Sequence, residues 1–288
     1  MLTQIKNFIL HLRLHYQFLI LSGGYLLAAI YLTETDRYSF WTQFLNVHIL
    51  LFGGATAYNS YWDKDEGPIG GLKNPPPMQK WMWALSLFMQ FIGLLWGWYT
   101  VGTSFALIYS VSMLLFWLYS TPHARWKGHP WLSVIAIGGS TGTNSFLMGI
   151  LAGGGSLGLN EGLTALGVAC LILSLYPVSQ VYQYEEDEKR EDRTFALKYG
   201  LPGVRTFFML MFVSGSLLVS FFLFQQKEVY GISFGVVSLP ALGLITILLY
   251  RLKGEMAEYG LVMKLKFIAS LSFVIFILSV LLLQSINW

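Results

Sequence analysis

The stretch "YNSYWDKDEGPIGGLKNPPPM", residues 58–78, separates two long apolar runs at residues 40–61 and 80–101. Only 11% of the 288 residues are charged, yet this stretch holds three acids within four positions: Asp63, Asp65 and Glu66. Proline lacks an N–H and restrains the residue before it, so the triple proline ends any helix that reaches it. The stretch is therefore a polar loop between two apolar segments, and its acids need an explanation.

Apolar runs of similar length recur along the chain, in which 55% of residues are hydrophobic and the mean hydropathy is +0.57. A membrane-spanning helix needs about 20 such residues. Backbone polar groups in hydrocarbon need internal partners, and the runs lack the alternation of barrel strands, so they predict helices. The nine runs are roughly 14–33, 40–61, 80–101, 103–120, 130–154, 162–183, 203–225, 230–251 and 265–287. We predict an all-α, polytopic membrane protein with nine transmembrane helices in one bundle around a central cavity, and a single domain over residues 1–288.

The basic residues predict the orientation of this bundle. With nine spans, sixteen of the 18 Lys and Arg residues fall on the side that holds the N-terminus, and only Arg37 and Lys227 fall on the other. Positively charged loops stay in the cytoplasm. We therefore expect a multi-pass protein of the bacterial inner (plasma) membrane, with the acidic stretch on the cytoplasmic side.

The acidic residues gather in two patches at equivalent helix ends. Nine of the 15 lie there: Asp63, Asp65, Glu66, Glu185, Glu186, Asp187, Glu188, Glu191 and Asp192. Each patch reads aromatic, amide, three residues, aspartate. Residues four apart share a helix face, which pairs Asn59 with Asp63 and Gln183 with Asp187.

Oxygen ligands of this kind suit Mg²⁺, which proteins usually hold through one or two carboxylates plus substrate phosphates. Two such helix ends facing each other across a cavity would bind a metal–diphosphate ligand. Four of the other acids in the patches are interpreted as solvated loop charge: Asp65, Glu188, Glu191 and Asp192.

A basic loop, "YSTPHARWKGHP" at residues 119–130, lies on the same predicted side. Its Arg125 and Lys127 either hold the remaining phosphate oxygens, for which arginine suits bidentate contact, or serve only as topology signals. The same two interpretations apply to Lys73, Lys189, Arg190 and Arg193. Two polar residues lie mid-helix: His48, interpreted as a packing residue, and Asn144 in "GGSTGTNS", interpreted first as helix packing and second as cavity lining.

Together these features resemble the UbiA superfamily of intramembrane prenyltransferases. The motifs that carry the resemblance are "NSYWDKDEG" (59–67), the basic loop, and "QYEEDEKREDRTFALKYG" (183–200). Members of that superfamily have nine transmembrane helices, an Asn-Asp-x-x-Asp motif after the second helix and an Asp-rich motif after the sixth. Ser60 stands where the family usually has aspartate, and Gln183 stands where the second motif usually has its first aspartate.

The resemblance implies Mg²⁺-assisted transfer of an isoprenyl group from a polyprenyl diphosphate to a lipophilic acceptor, in much of the family an aromatic ring. The catalytic residues would be Asp63 and Asp187. The metal ligands would be Asn59, Asp63, Glu66, Gln183 and Asp187. The diphosphate would contact Lys73, Arg125, Lys127 and Arg193. The expected partners are the two substrates and the lipid bilayer, with no nucleic acid.

Two other classes of function remain open at this stage. A UbiA-related cyclase would use the same metal site without an acceptor, and its product would distinguish it. A non-enzymatic protein, such as a transporter or a degenerate binding protein, is the other class. A transporter should show paired interrupted helices at the bilayer midplane, whereas the polar groups here gather at one face.

Overall fold

The computed structural model describes residues 2–32, 36–64 and 67–286, and these are arranged as α-helices with short π- and 3-10 segments between some of them. The α-helices are α1 Leu2–Leu12, α2 Leu14–Tyr16, α3 Gly23–Tyr31, α4 Arg37–Leu45, α5 Gly54–Asp63, α6 Lys80–Thr100, α7 Thr103–Ser120, α8 Pro130–Ile137, α9 Asn144–Ala152, α10 Leu159–Ser174, α11 Tyr184–Lys189, α12 Phe195–Gln226, α13 Glu228–Tyr250 and α14 Tyr259–Ile286. The described part contains no β-strand, so the predicted all-α class is confirmed for it.

The long apolar helices make this an integral, multi-pass membrane protein. Seven described segments are long and apolar enough to cross a bilayer, and the bent pair Leu2–Leu21 and Gly23–Tyr31 raises the number to eight. The predicted run 40–61 lies in the continuous helical stretch 37–63, which is not among the segments apolar enough to cross a bilayer. Polar residues such as Asn46 and His48, both fully buried, lower the apolar character of this stretch. The count of nine spans stays a prediction.

The first helical segment begins earlier than the apolar pattern predicts. Helix α1 starts at Leu2, and its Phe8 and Leu12 pack with Ala57 and Met82. Arg13 interrupts the segment in a left-handed conformation, φ +49°. The segment bends by 43° before it continues as α3.

The second acidic patch does not lie on a regular helix end, contrary to prediction. Helix α10 ends at Ser174, a 3-10 turn runs from Pro177 to Gln183, and α11 follows. Gln183, with φ −107° and ψ 7°, marks the junction. The four-residue spacing of Gln183 and Asp187 therefore does not place them on one α-helical face. Pro177 lies in the first turn of the 3-10 segment, where its missing N–H costs no hydrogen bond, and this explains why a new helical segment begins there.

The small-residue run before Asn144 packs closely against a neighbouring helix. It forms a π-helix, Gly138–Thr143, and a Cβ built on Gly142 would lie 2.6 Å from the Cα of Ala169 in α10. The Asn144 amide nitrogen donates to Ser112 Oγ at 2.9 Å, which links α9 to α7. The packing interpretation of this run is confirmed, because small residues let helix backbones approach.

His48 is enclosed by aromatic rings in the core. Its ring lies 4.3 Å from that of Phe44 and 5.3 Å from that of Phe52, measured between centroids. Its Nδ1 lies 2.7 Å from the Phe44 carbonyl oxygen. The interpretation of His48 as a packing residue is confirmed.

Candidate functional site

Both acidic patches reach one cavity of about 290 Å³. Asn59 and Asp63 enter it from the last turns of α5, and Gln183 and Asp187 enter it from the 3-10 turn and α11. The cavity thus brings together two motifs that are far apart in sequence, as their paired pattern predicts.

Asp63 is the last residue of α5 and is 9% exposed. Lys64 follows it in a left-handed conformation, φ +51°, which ends the helix. Asp63 Oδ1 lies 2.6 Å from the Nζ of Lys127 and 4.0 Å from Nη1 of Arg125. These contacts bring the basic loop to the first acidic patch, so the ammonium of Lys127 balances the charge of a buried carboxylate.

Asp187 is 7% exposed and accepts a hydrogen bond of 3.1 Å from Thr194 Oγ1. Thr194 also caps α12, because its hydroxyl accepts from the N–H of Leu197. One residue therefore begins the following helix and orients the carboxylate of the second patch. This contact forms across the turn between α11 and α12, so the helical spacing of residues in the sequence could not predict it.

Asp192 is buried, and its interpretation as solvated loop charge is wrong. Arg125 donates from Nε to Oδ1 and from Nη2 to Oδ2, both at 2.7 Å. These hydrogen bonds raise the pKa of Arg125, so the guanidinium stays charged. The pair clamps the basic loop against the chain segment that follows α11, and it positions Lys127 beside Asp63.

The two predicted amide ligands have their nitrogens engaged by the protein. Asn59 Nδ2 donates to Ser120 Oγ at 3.1 Å, and Gln183 Nε2 contacts the Pro68 carbonyl oxygen at 3.5 Å. This arrangement leaves the two amide oxygens as acceptors for a ligand.

Three predicted diphosphate contacts, Lys73, Arg125 and Arg193, do not line the cavity. Lys73 and Arg193 are exposed. The backbone N–H of Arg193 donates to the Gly128 carbonyl instead, at 2.9 Å. Glu66 lies outside the described residues. The predicted contacts of Lys73 and Arg193 with a diphosphate have no geometric support.

Sequence reasoning missed several residues that line the cavity: Arg13, Tyr119, Tyr176 and Lys266. Arg13 and Lys266 entered it only as topology charges. Both lie at the edge of an apolar run, where long basic side chains ordinarily reach the membrane surface, so their position gave no signal of a role in the cavity.

The donor set fits Mg²⁺ with a phosphorylated ligand. No group of three or more His, Cys, Asp or Glu side chains is arranged for a metal in residues 2–32, 36–64 and 67–286. Two buried carboxylates and two amide oxygens share the cavity, and Mg²⁺ completes such a set with phosphate oxygens and water. Asp63, Asp187, Asn59 and Gln183 are the residues that would hold it.

Comparison of the chain with known proteins identifies its family. The model of the UbiA prenyltransferase family matches residues 18–271. The chain belongs to the UbiA prenyltransferase family. The family predicted from the sequence is therefore confirmed, and at the level of the family so is the class of enzyme, a prenyltransferase.

A curated relative is the protoheme IX farnesyltransferase of Pyrobaculum neutrophilum, 29% identical over 154 residues. The match covers 49% of this chain and 51% of that protein, so the chain spans about half the length of this relative.

Solved UbiA structures share the fold. A UbiA homologue from Archaeoglobus fulgidus, bound to GPP and Mg²⁺, superposes with a TM-score of 0.73 at 16% identity, over 95% of this chain and 99% of that one. The same homologue bound to DMAPP and Mg²⁺ gives 0.69 at 14% identity, over 93% and 99%. A structure described for digeranylgeranylglyceryl phosphate synthase gives 0.63 at 17% identity, over 96% and 99%. At these identities the similarity establishes the fold.

Proposed function

We propose that this chain transfers an isoprenyl group from a polyprenyl diphosphate to a lipophilic, aromatic acceptor of the quinone type, with Mg²⁺ as cofactor. The observation that carries the proposal is the meeting of Asp63 and Asp187 in one cavity that continues into an apolar wall. Both carboxylates are buried, at 9% and 7% exposure. Burial of two acids in a membrane protein is costly and indicates function.

Asp63, Asp187, Asn59 and Gln183 would hold the metal together with the diphosphate of the prenyl substrate. When bound, Mg²⁺ stabilises the negative charge that grows on the diphosphate as the carbon–oxygen bond breaks. Lys127 adds a cation at the same place, since its ammonium already lies against Asp63. Arg125 acts through Asp192, because that pair holds the loop and so positions Lys127.

The apolar part of the cavity accommodates the isoprenyl chain. Its lining includes Ile20, Phe52, Phe116, Leu171 and Phe273. An allylic carbocation needs surroundings without water, which would quench it. These side chains exclude water from the reacting carbon until the acceptor attacks.

The relatives support the chemistry. One is a farnesyltransferase, and the similar structures hold GPP or DMAPP with Mg²⁺. We further propose that residues 1–288 form one domain with nine spans around the cavity, in a bacterial inner membrane, with the site on the cytoplasmic side. The basic residues of the loops support this orientation.

A membrane assay tests the proposal. Membranes that contain the chain receive radiolabelled prenyl diphosphates of several lengths, a panel of aromatic acceptors and Mg²⁺, and the products are identified by mass spectrometry. A prenylated acceptor plus diphosphate supports the proposal. A cyclic terpene formed without consumption of any acceptor would contradict it, as would donor binding that ignores Mg²⁺.

A further inference from the structure

The cavity continues from the acidic pairs deep into the helical bundle. On α5 and the π-helix before it, the lining extends from Asp63 back to Phe52. On α14 the lining extends from Lys266 to Phe276. At a rise of about 1.5 Å per residue, each of these distances corresponds to about 15 Å along the helix axis. The cavity is therefore long and narrow, with a polar end and a deep apolar end.

Three phenylalanine rings close the deep end. The ring of Phe234 in α13 lies 5.6 Å from that of Phe273 and 5.2 Å from that of Phe276, measured between centroids. All three residues line the cavity. Ile277 and Val280, the next core residues of α14, are buried and do not line it. The cavity thus ends at the three rings, which we call the phenylalanine floor.

Gly23 allows this floor to close against the first spanning segment. A Cβ built on Gly23 would lie 2.6 Å from Cδ1 of Phe273, closer than two such carbon atoms approach. The Phe273 ring therefore lies directly against the backbone of α3. Phe234 is buried in the main hydrophobic core, where close packing holds a ring of this size in place. The floor is thus fixed by packing between α3, α13 and α14.

Small side chains leave the space above the floor open. Ser238 and Ala241 of α13 line this space, as do Ala269 and Ser270 of α14. Helix α13 runs from the floor toward the metal end, because Gly254, just after it, lies against Tyr184. Ala241 is seven residues after Phe234 and therefore lies about 10 Å nearer the acidic pairs. A large side chain at position 241 would block the path to the floor.

The depth of the cavity can be compared with the length of an isoprenyl chain. The diphosphate stays with the metal at Asp63 and Asp187, so the chain extends from there toward the floor. An extended isoprene unit, a zigzag of single bonds of about 1.5 Å, adds about 5 Å to the chain. A depth of about 15 Å therefore holds at most about three units.

We propose that Phe234, Phe273 and Phe276 limit the prenyl donor to about three isoprene units. This inference rests on the proposed function and names its donor class: a prenyl diphosphate no longer than farnesyl. A longer chain has to displace a packed ring or leave the bundle between α13 and α14, where the lining residues Val237 and Ser272 are exposed. A misfit of one methylene in an apolar pocket already changes selectivity by about 10–200-fold, so a whole extra unit should bind poorly.

The test measures binding of donor analogues of four lengths, so it needs no acceptor. Purified full-length protein in detergent with Mg²⁺ is titrated with the thiolodiphosphates of dimethylallyl, geranyl, farnesyl and geranylgeranyl, whose carbon–sulfur bond resists cleavage. We expect affinity to rise up to the geranyl or farnesyl analogue. The geranylgeranyl analogue should bind at least about tenfold more weakly than the farnesyl analogue.

Variants of the floor should move this limit in both directions. Phe273→Ala and Phe276→Ala should each bring the geranylgeranyl analogue within about threefold of the farnesyl analogue. Ala241→Phe should weaken the farnesyl analogue by about tenfold or more and leave the dimethylallyl analogue within about threefold. Phe221→Ala is the matched control, since Phe221 is 56% exposed on α12 and does not line the cavity. Each ratio between two lengths is compared with that of the unchanged protein, so uptake of long chains by detergent cancels.

Two results would overturn the inference alone. One is geranylgeranyl binding as tight as farnesyl binding in the unchanged protein, which would instead indicate an exit between α13 and α14. The other is a length ratio that stays the same in both Phe→Ala variants. Should those variants fail to fold, Phe273→Leu removes the ring but keeps an apolar side chain, and an unchanged ratio there counts equally against the floor. If no analogue binds in the presence of Mg²⁺, the proposed function fails, and the inference fails with it.

Discussion

At the scale of single residues, Asp63 and Asp187 distinguish this cavity from an ordinary polar pocket. Both are buried: Asp63 lies against Lys127, with Arg125 farther away, and Asp187 accepts a hydrogen bond from Thr194. Their carboxylates have no other evident structural task in the described part of the chain. Removal of either should therefore affect chemistry more than folding.

Asp63→Ala and Asp187→Ala should each lower turnover by about 100-fold or more, the scale of losing one electrostatic stabiliser. The amount of protein in the membrane should stay the same. Turnover at saturating Mg²⁺, normalised to protein measured by immunoblot, checks this. Glu188→Ala is the control, because Glu188 is exposed one residue from Asp187. Near-normal turnover in either Asp variant would remove that residue from the metal site.

Gln183 contributes a neutral amide where relatives of the family place a carboxylate, so the site has less negative charge with which to hold Mg²⁺. Magnesium should enter largely with the donor, whose phosphates supply the remaining oxygens. Gln183→Asp should therefore lower the Mg²⁺ concentration that gives half-maximal activity, and Gln183→Ala should raise it. Mg²⁺ titrations of activity and of donor binding in both variants measure this. Identical curves for the two would show that residue 183 is no ligand.

At the scale of elements, the loop between α7 and α8 is attached to the segment after α11 by the Arg125–Asp192 pair. Gly128 permits this contact, since a Cβ there would lie 2.5 Å from Asp192 Oδ1. The loop positions Lys127, so a change at Asp192 should reach the site indirectly.

Asp192→Ala should lower the melting temperature of the purified protein, because it leaves the guanidinium of Arg125 without its partner. Arg125→Ala should do the same, and the double variant should lose much less than the sum. Adjacent charged groups usually show coupling of about 0.5–3 kcal/mol in such cycles. A thermal-shift cycle of the four proteins measures the coupling, and strict additivity would mean that the pair does not clamp the loop.

The bend near the start of α12 depends on Gly200, whose φ of +62° and ψ of −174° are accessible almost only to glycine. Gly200→Ala should destabilise the protein by about 1–3 kcal/mol. Gly162→Ala is the control, since Gly162 lies in α10 with open space around it. The melting temperatures of the two variants are compared: Gly200→Ala introduces backbone strain, whereas Gly162→Ala changes the residue without it. An equal effect in both would show that the bend does not require glycine.

At the scale of the whole molecule, the orientation in the bilayer decides which compartment supplies the substrates. Positions 73 and 227 lie on opposite predicted sides, and both residues are exposed. Single cysteines at these positions, in a Cys170→Ser background, can be labelled in intact cells with an impermeant thiol reagent. We expect labelling at 227 but not at 73. The opposite pattern would place the acidic patches outside the cytoplasm.

The sequence by itself determined the all-α membrane class, the family and the two amide–aspartate pairs that line the cavity. Each of these depends on local pattern: apolar run length, loop charge and the recurring aromatic–amide–aspartate spacing. The bounds of some helices also follow from the apolar runs: α7 begins at Thr103 and ends at Ser120, as the run 103–120 predicts.

Only the tertiary structure decided which charges meet. Asp192 and Arg125, or Arg13 and Lys266, come from distant parts of the chain, so no local spacing relates them. Lys73 and Lys127 look alike as loop cations, yet one is exposed and the other lies against Asp63. The physical reason is that a charge gains or loses its role through burial and partners, and both are set by how the helices pack.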